Sequence, residues 1–297
     1  MIRLPSYVLI TPARNEAQFI GETLRAVVAQ KVQPSRWIIV SDGSTDGTDD
    51  IVRDYAARYP WIEPIRMPER RERHFAGKVH AFNAGYARLQ NVAYDFIGNL
   101  DSDVSFDNDY FAFLLDKLCQ DPKLGLVGTA FRDSSGSTYD YRFVSIEHVT
   151  GTCQLFRREC FEAIGGYVPS KAGAVDSIAV IRAKMQGWKT RTFTEKVLLH
   201  YRDFGTAEQS VLTARFKNGV KDYAVGNHPI WELFRVIYQL TRPPYVLGSL
   251  MLAAGYLYAA VRRIERPVSA NVVAFQRKEQ MKRLKTFLIH WSTALWN

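Results

Sequence analysis

The first hundred residues alternate short apolar runs with amphipathic stretches, and this alternation is the feature that most limits what the chain can fold into. Four apolar runs have the length of buried strands, at residues 7–11, 37–40, 62–65 and 96–100. Helical spacing of apolar residues predicts three helices between them, at 16–30, 46–59 and 78–89. Strands that alternate with helices form βαβ units, so we predict an α/β domain with a parallel sheet.

Polar clusters follow three of the predicted strands, at residues 12–16, 41–46 and 101–103. In open α/β sheets, ligands bind outside the carboxyl ends of the strands, so we expect the functional site there. The sequence has no GxGxxG after its first strand and no GxxxxGK[ST]. A bound nucleotide would therefore be held by neither the dinucleotide fingerprint nor a P-loop.

Asp101 and Asp103 lie directly after the fourth predicted strand, on either side of Ser102. Residues i and i+2 of a strand point to the same side, so both carboxylates are expected at one strand tip. Mg²⁺ and Mn²⁺ take one or two carboxylates together with phosphate oxygens, which favours a cation bound with a nucleoside diphosphate. The alternative is that Asp103 or Asp107 caps a helix that begins near residue 108.

Five ordered motifs resemble the family 2 glycosyltransferases of the GT-A fold. They are PARNE (12–16), SDGSTDGT (41–48), GKVHAFNAG (77–85), DSD (101–103) and LFRRECFEAIGGY (155–167). The resemblance covers about residues 7–204. It implies a GT-A, Rossmann-like mixed sheet flanked by helices in a domain at 1–204, and we expect a mainly helical, membrane-associated appendage at 205–297.

The resemblance also implies a nucleotide-sugar site and a divalent cation, Mn²⁺ or Mg²⁺. The residues implied for the nucleotide sugar are Pro12, Ala13, Arg14, Glu16, Asp42, Lys78, Asp101 and Ser102. Those implied for the metal are Asp101 and Asp103, with His200 as a third ligand. Other interpretations stay open, namely that Asp42 forms a turn, that Lys78 is a solvated helix start and that His200 is a packed core residue.

Asp176 is implied as the general base of an inverting transfer, the group that takes the proton from the acceptor hydroxyl. The family commonly has Glu-Asp at this point, whereas this sequence has Val175-Asp176. Acceptor contacts made by the first acid are therefore absent. The alternative is that Asp176 is the N-cap of a helix predicted at residues 178–186.

Nearly all of the net charge of +9 belongs to residues 205–297, where 13 Lys and Arg accompany 5 Asp and Glu. Residues 245–261 carry no charge, but a span needs about 20 apolar residues, so we expect a monotopic or re-entrant segment or, alternatively, a buried helix. Residues 274–296 are typical of a basic amphipathic helix on anionic lipid. Gln280 to Leu284 matches the QxxRW motif of processive synthases only in part, so processive synthesis is not expected.

The resemblance to the family 2 glycosyltransferases implies an inverting, metal-dependent glycosyltransferase. It would move a sugar from a nucleotide-diphosphate donor, UDP being the expected nucleotide, to a lipid-linked or polysaccharide acceptor in cell-surface or exopolysaccharide biosynthesis. Three cysteines without CxxC spacing fit a reducing cytosol, and the first apolar run is too short for a signal peptide. We therefore expect the protein at the inner face of the cytoplasmic membrane.

Three other classes of protein are alternatives to this prediction. A catalytically inactive nucleotide-sugar-binding scaffold is favoured if Val175 marks a lost site. A nucleotidyltransferase would need a glycine-rich phosphate loop after the first strand, which PARNE is not. A nucleic-acid-binding protein is suggested by charge alone, so no nucleic acid is expected as a partner, whereas homo-oligomer formation stays open.

Overall fold

The computed structural model describes residues 5–69, 76–139, 141, 144–202 and 210–295, with side chains described as far as residue 289. The chain groups into two compact units. The first comprises Met1–Lys171 and Val175–Phe204, and the second comprises Ala172–Ala174 and Gly205–Asn297. The last residue of the predicted basic helix, residue 296, lies outside the described part of the chain.

One mixed sheet of eight strands forms the centre of the first unit. The strands are β1 (Tyr7–Ala13), β2 (Arg36–Ser41), β3 (Ile62–Arg66), β4 (Phe96–Leu100), β5 (Val104–Ser105), β6 (Leu124–Arg132), β7 (Cys153–Arg157) and β8 (Lys189–His200). Their order is β3-β2-β1-β4-β7-β6-β8-β5. The first four are parallel to their neighbours among themselves, as predicted, whereas β7 is antiparallel to both β4 and β6.

Helices cover both faces of this sheet. They are α1 (Ile20–Val28), α2 (Thr48–Arg58), α3 (Ala76–Tyr86), α4 (Tyr110–Gln120), α5 (Arg158–Ala163) and α6 (Val175–Met185). Along β1, Tyr7 and Leu9 pack into one buried apolar cluster, and Val8 and Ile10 pack into the other. A strand that is buried on both faces reads as a continuous apolar run, which explains the patterning of the first hundred residues.

Two helix boundaries decide between interpretations that the sequence left open. Helix α4 begins at Tyr110 with Asp109 as its N-cap residue, so neither Asp103 nor Asp107 caps it. Helix α6 begins at Val175, three residues before the predicted start, and Asp176 therefore lies inside its first turn. The N-cap interpretations of Asp103 and Asp176 are both wrong, and their carboxylates remain candidates for chemistry.

The second unit is mainly helical, as predicted. Its helices are α7 (Val211–Ala224), α8 (Pro229–Gln239), α9 (Tyr245–Val261) and α10 (Ala270–Leu295). Glycines let the backbones of α7 and α9 approach closely, because a Cβ atom at Gly219 would lie 2.1 Å from the Leu252 carbonyl oxygen and one at Gly255 would lie 2.0 Å from the Phe216 carbonyl oxygen. Among the described helices, none combines the length and the apolar character needed to cross a membrane.

A buried polar network lies among these helices. Asp222 and Glu232 are both buried, and the Arg235 guanidinium pairs with Asp222. Gln280 donates to the Asn227 side chain at 2.6 Å and accepts from the His228 backbone N–H at 2.8 Å. Burial, with the neighbouring Asp222 charge, raises the pKa of Glu232 to about 7.

We expect Glu232→Gln to raise the free energy of unfolding at pH 8. The pKa of Glu232 is raised in the fold from 4.5 to about 7, so its stabilising contribution is complete below pH 4.5 and is lost as the pH rises through 7. Because glutamine is an uncharged isostere, the variant does not suffer that loss. We expect its free energy of unfolding to exceed that of wild type by about 2–3 kcal/mol at pH 8 and to differ little at pH 5. Urea unfolding at both pH values measures it, with the exposed Glu265→Gln as control; a variant less stable than wild type at pH 8 would contradict the prediction.

Candidate active site

The carboxyl ends of β1, β2 and β4 lie side by side, because β1 pairs with both of the others. The polar residues that follow these strands are thereby brought to one edge of the sheet. Glu16, Asp42 and Asp103 are all nearly buried there. Side chains that exclude water in this way can strengthen the electrostatic interactions between them.

Asp101, Asp103 and His200 form a cluster in which one ligand atom of each residue lies within 4.8 Å of the others. The antiparallel pairing of β5 with β8 produces it, since Val104 is opposite His200. The His200 Nε2 atom lies 3.5 Å from Asp103 Oδ2. His200 Nδ1 lies 2.6 Å from the Arg202 carbonyl oxygen and donates a hydrogen bond to it, so that Nε2 is the ring nitrogen on the side of the carboxylates.

This donor set fits a divalent cation. Two carboxylates and an imidazole suit Mn²⁺ and Mg²⁺, which commonly complete their ligand shell with phosphate oxygens and water. Asp101, Asp103 and His200 would hold the ion. Once bound, the cation would supply charge neutralisation at a departing diphosphate.

Lys78 lies in the first turn of α3, and its Nζ donates to Asp101 Oδ1. The same Nζ is 3.5 Å from the Gly151 carbonyl oxygen. Burial lowers the pKa of Lys78, but the Asp101, Asp176 and Asp103 carboxylates outweigh this and raise it above its ordinary value. The Lys78 side chain keeps 37% of its surface exposed, but its ammonium group is paired with Asp101 and therefore lies beside the acidic cluster.

Burial raises the pKa of Asp101; attraction to Lys78 opposes the rise and repulsion from Asp103 adds to it, so that the pKa remains above its ordinary value. Two carboxylates in contact with little water repel one another, and a cation relieves this repulsion. The electrostatics of the cluster thus favour positive charge.

Glu16 pairs with Arg202 through two hydrogen bonds, of 3.0 Å from Nη1 and 2.6 Å from Nη2. Arg202 Nε also lies 3.7 Å from Asp103 Oδ2. Burial, with repulsion from Asp103, raises the pKa of Glu16 to about 7 although Arg202 lowers it. The sequence separation of 186 residues gives no signal for this pair. Sequence reasoning did not find this pair and gave Glu16 only as one of the residues implied for the nucleotide sugar.

The predicted nucleotide residues from the first two clusters lie on two loops that are joined by hydrogen bonds. Asn15, which the sequence analysis did not single out, adopts a φ of 55° and accepts from the Thr45 N–H at 2.9 Å. The Arg14 guanidinium is 3.7 Å from Asp42 Oδ2. Pro12 and Ala13 end β1, and Ser102 is buried between the two aspartates.

Asp176 lies beside the chain that carries Gly151. A Cβ atom at Gly151 would be 3.3 Å from Asp176 Cβ, so a side chain there would crowd this acid. Gln154 donates to the Val149 carbonyl at 2.9 Å and accepts from the Tyr167 hydroxyl at 2.7 Å, which fixes the segment before α6. Since the Asp176 charge also acts on Lys78, the structure brings this carboxylate to the same polar site as the acidic cluster.

Comparison with known proteins gives the family. Residues 8–165 match the model of Glycosyl transferase family 2. The chain is 30% identical over 216 residues to the Probable glycosyltransferase YdaM of Bacillus subtilis, which covers 65% of this chain and 50% of YdaM. It is 32% identical over 113 residues to the Poly-beta-1,6-N-acetyl-D-glucosamine synthase of Staphylococcus aureus, and this match covers 38% of this chain and 25% of the synthase. The chain thus spans half or less of the length of these relatives.

Two solved structures share the fold. The mannosyltransferase PcManGT from Pyrobaculum calidifontis, in complex with GDP-Man and Mn²⁺, has a TM-score of 0.60 and 22% identity, covering 98% of this chain and 84% of that one. Residues 1–349 of TarS from S. aureus, in complex with UDP-GlcNAc, have a TM-score of 0.52 and 15% identity. This match covers 73% of this chain and 66% of the TarS chain. The GT-A fold expected from the motifs is confirmed, and the chain belongs to glycosyl transferase family 2.

Proposed function

We propose that this protein is an inverting, metal-dependent glycosyltransferase that moves a sugar from a nucleoside diphosphate to a hydroxyl group of an acceptor. The observation that carries the proposal is the cluster of Asp101, Asp103 and His200 with Lys78 beside it. A nucleoside diphosphate leaves with its negative charge increased, and stabilising that charge is the main electrostatic task of such a reaction. The cluster offers a cation site and a fixed ammonium group for this task.

The chain's own residues divide the work. Asp101, Asp103 and His200 would hold the cation, and Lys78, which is paired with Asp101, would contribute positive charge at the diphosphate. Asp176 takes the proton from the acceptor hydroxyl as its oxygen attacks the anomeric carbon. Because attack and departure occur on opposite faces of one carbon, a single displacement inverts its configuration.

We propose a UDP-linked sugar as the donor. The support is the TarS structure, which contains UDP-GlcNAc, whereas PcManGT contains GDP-Man. The name of the S. aureus synthase gives an N-acetylglucosamine polymer as its product, which agrees with N-acetylglucosamine as the sugar. Arg14, Asp42 and the loops around them lie at the strand ends where the nucleotide of such a donor would bind.

We further propose a lipid-linked or polysaccharide acceptor at the inner face of the cytoplasmic membrane. The support is the basic second unit, because positive charge near an anionic leaflet favours binding there. The polysaccharide named for the S. aureus relative agrees with a glycan product.

Nucleotide binding and turnover test this function together. We expect UDP to bind at least about tenfold more tightly with Mn²⁺ than with EDTA in calorimetry, since the cation offsets diphosphate charge. We expect release of UDP from UDP-GlcNAc with Mn²⁺ or Mg²⁺ and none with EDTA, with GDP-Man as the comparison donor. If neither UDP nor GDP-Man binds to the protein, the proposal is wrong.

A nucleotide-sugar-binding scaffold is the second candidate, and Val175 is the residue that favours it. Val175 stands where the family commonly has an acid, and it packs against the apolar cluster beneath α6. Metal-dependent binding of UDP without turnover on any acceptor or on water would support the scaffold and exclude the transferase.

A further inference from the structure

Helix α9 exposes several of its large apolar side chains to solvent, although Leu252 and Tyr256 are buried on its packed face. Its 17 residues contain no charge. The face that packs inside the unit includes Gly248, Ser249 and Gly255. The opposite face carries Leu247, Leu250 and Leu257, which are 58%, 60% and 61% exposed. Water is an unfavourable solvent for such a face, because each leucine leaves apolar area unburied.

Helix α8 likewise exposes apolar side chains, and it buries polar ones. Ile230, Leu233, Ile237 and Leu240 fall at helical spacing and are all exposed. The residues that this helix buries are instead Glu232 and Gln239. Helix α8 packs against α9 within the second unit. Two adjacent helices with exposed apolar faces exceed the scattered single apolar residues that are ordinary on a soluble surface.

Basic residues flank helix α9 at both ends, and further basic residues lie elsewhere in the second unit. Arg242 precedes α9, and Arg262 and Arg263 follow it. Exposed cations on α10 add to this charge, including Lys278, Lys282, Arg283 and Lys285. Residues 205–297 carry a net charge of +8, from 13 Lys and Arg less 5 Asp and Glu. An apolar surface bordered by cations is complementary to a lipid leaflet whose headgroups are anionic.

We propose that the exposed faces of α8 and α9 form a docking surface for an anionic lipid leaflet, with α9 lying in the plane of the interface. Helix α9 is about 26 Å long at a rise of about 1.5 Å per residue, shorter than the hydrocarbon core of about 30 Å. Arginines at both of its ends are held at the headgroup level, so both ends stay on one side of the leaflet. The side chains that enter the acyl region of the leaflet are Leu247, Leu250 and Leu257 of α9 and Ile230 and Ile237 of α8.

This surface does not rest on the transfer reaction, and it deepens the proposed location by naming the residues that contact lipid. It differs from a membrane span because one leaflet only is engaged. It differs from a purely electrostatic contact because apolar insertion and charge both contribute, and each can be removed separately.

Vesicle flotation of the full chain tests the surface. We expect binding to phosphatidylcholine vesicles that contain phosphatidylglycerol, and binding at least about tenfold weaker to phosphatidylcholine alone or in high salt, because salt screens the headgroup attraction. The triple variant Leu247→Gln, Leu250→Gln and Leu257→Gln is expected to lose at least about a hundredfold in binding, since three leucines no longer enter the acyl boundary. Circular dichroism should be unchanged, because all three side chains are exposed in the fold.

The matched control replaces three exposed apolar residues of the first unit, Val32→Gln, Ile146→Gln and Met185→Gln, and should bind as wild type does. Asp103→Ala should also float with the vesicles, and the α9 triple variant should still release UDP in solution, so failure of docking and failure of the proposed function are distinguishable. Equal binding by the triple variant and wild type would overturn the proposal. So would a dimer in sedimentation that the triple variant dissociates, with no binding to lipid, since a second copy would then cover this face.

Discussion

Asp103→Ala is expected to lower kcat/KM for sugar transfer by at least about a thousandfold, a loss of about 4 kcal/mol of transition-state stabilisation. Asp103 lies at the centre of the site, with His200 Nε2 3.5 Å and Arg202 Nε 3.7 Å from its Oδ2. Its removal takes away one cation ligand and leaves the His200 and Arg202 side chains without that carboxylate. Steady-state kinetics with Mn²⁺ and a UDP-sugar measure the loss.

A cation titration separates loss of the metal site from general damage. The Mn²⁺ concentration needed for half-maximal UDP binding should rise strongly in Asp103→Ala. The temperature of thermal unfolding without metal should stay the same or increase, because one of two neighbouring carboxylates has been removed. Asp116→Ala, at an exposed position of α4, is the matched control and should behave as wild type. Wild-type metal dependence in Asp103→Ala would contradict the assigned cation site.

The strands and the first half of the site could be predicted because their signals are local. Each of the first four strands is an apolar run, and three of them are followed by a polar cluster; in the last of these clusters Asp101 and Asp103 are two residues apart. Residues that lie close in sequence at a strand end stay close in the fold. The resemblance of the motifs then supplied chemical roles for these positions.

The rest of the site depends on pairings between distant parts of the chain. His200 reaches Asp103 only because β5 and β8 run antiparallel, and β5 is just two residues long. The bidentate pair of Glu16 and Arg202 spans 186 residues. No periodicity in a single sequence encodes such a contact, so the role of Glu16 was assigned without its partner.

The orientation of α9 was likewise beyond sequence patterning. A segment that is apolar on all sides has no polar stripe to indicate which face is buried. The close approach of α7 at Gly219 and Gly255 selects the face of α9 that carries the glycines for packing, and three of the four leucines of α9 are left exposed. The choice between a buried and a monotopic segment therefore depends on helix packing, which composition does not report.

Asp176→Asn is expected to lower kcat for transfer by about a hundredfold to ten-thousandfold, the range that general base catalysis usually contributes. Asparagine has nearly the same shape, so the contacts of this position with Gly151 and of its carbonyl with Gln154 are preserved. It cannot take a proton from the acceptor hydroxyl. UDP affinity and its Mn²⁺ dependence should stay close to wild type, because Asp176 does not belong to the cation cluster.

Both variants are expected to lose turnover, but only Asp103→Ala should lose the Mn²⁺-dependent binding of UDP, so the two variants distinguish a base from a metal ligand. Glu159→Gln, an exposed acid on α5, is the matched control. If Asp176→Asn turns over at the wild-type rate, another group must accept the proton. If it loses UDP affinity as well, Asp176 contributes to donor binding and the assignment of the base is wrong.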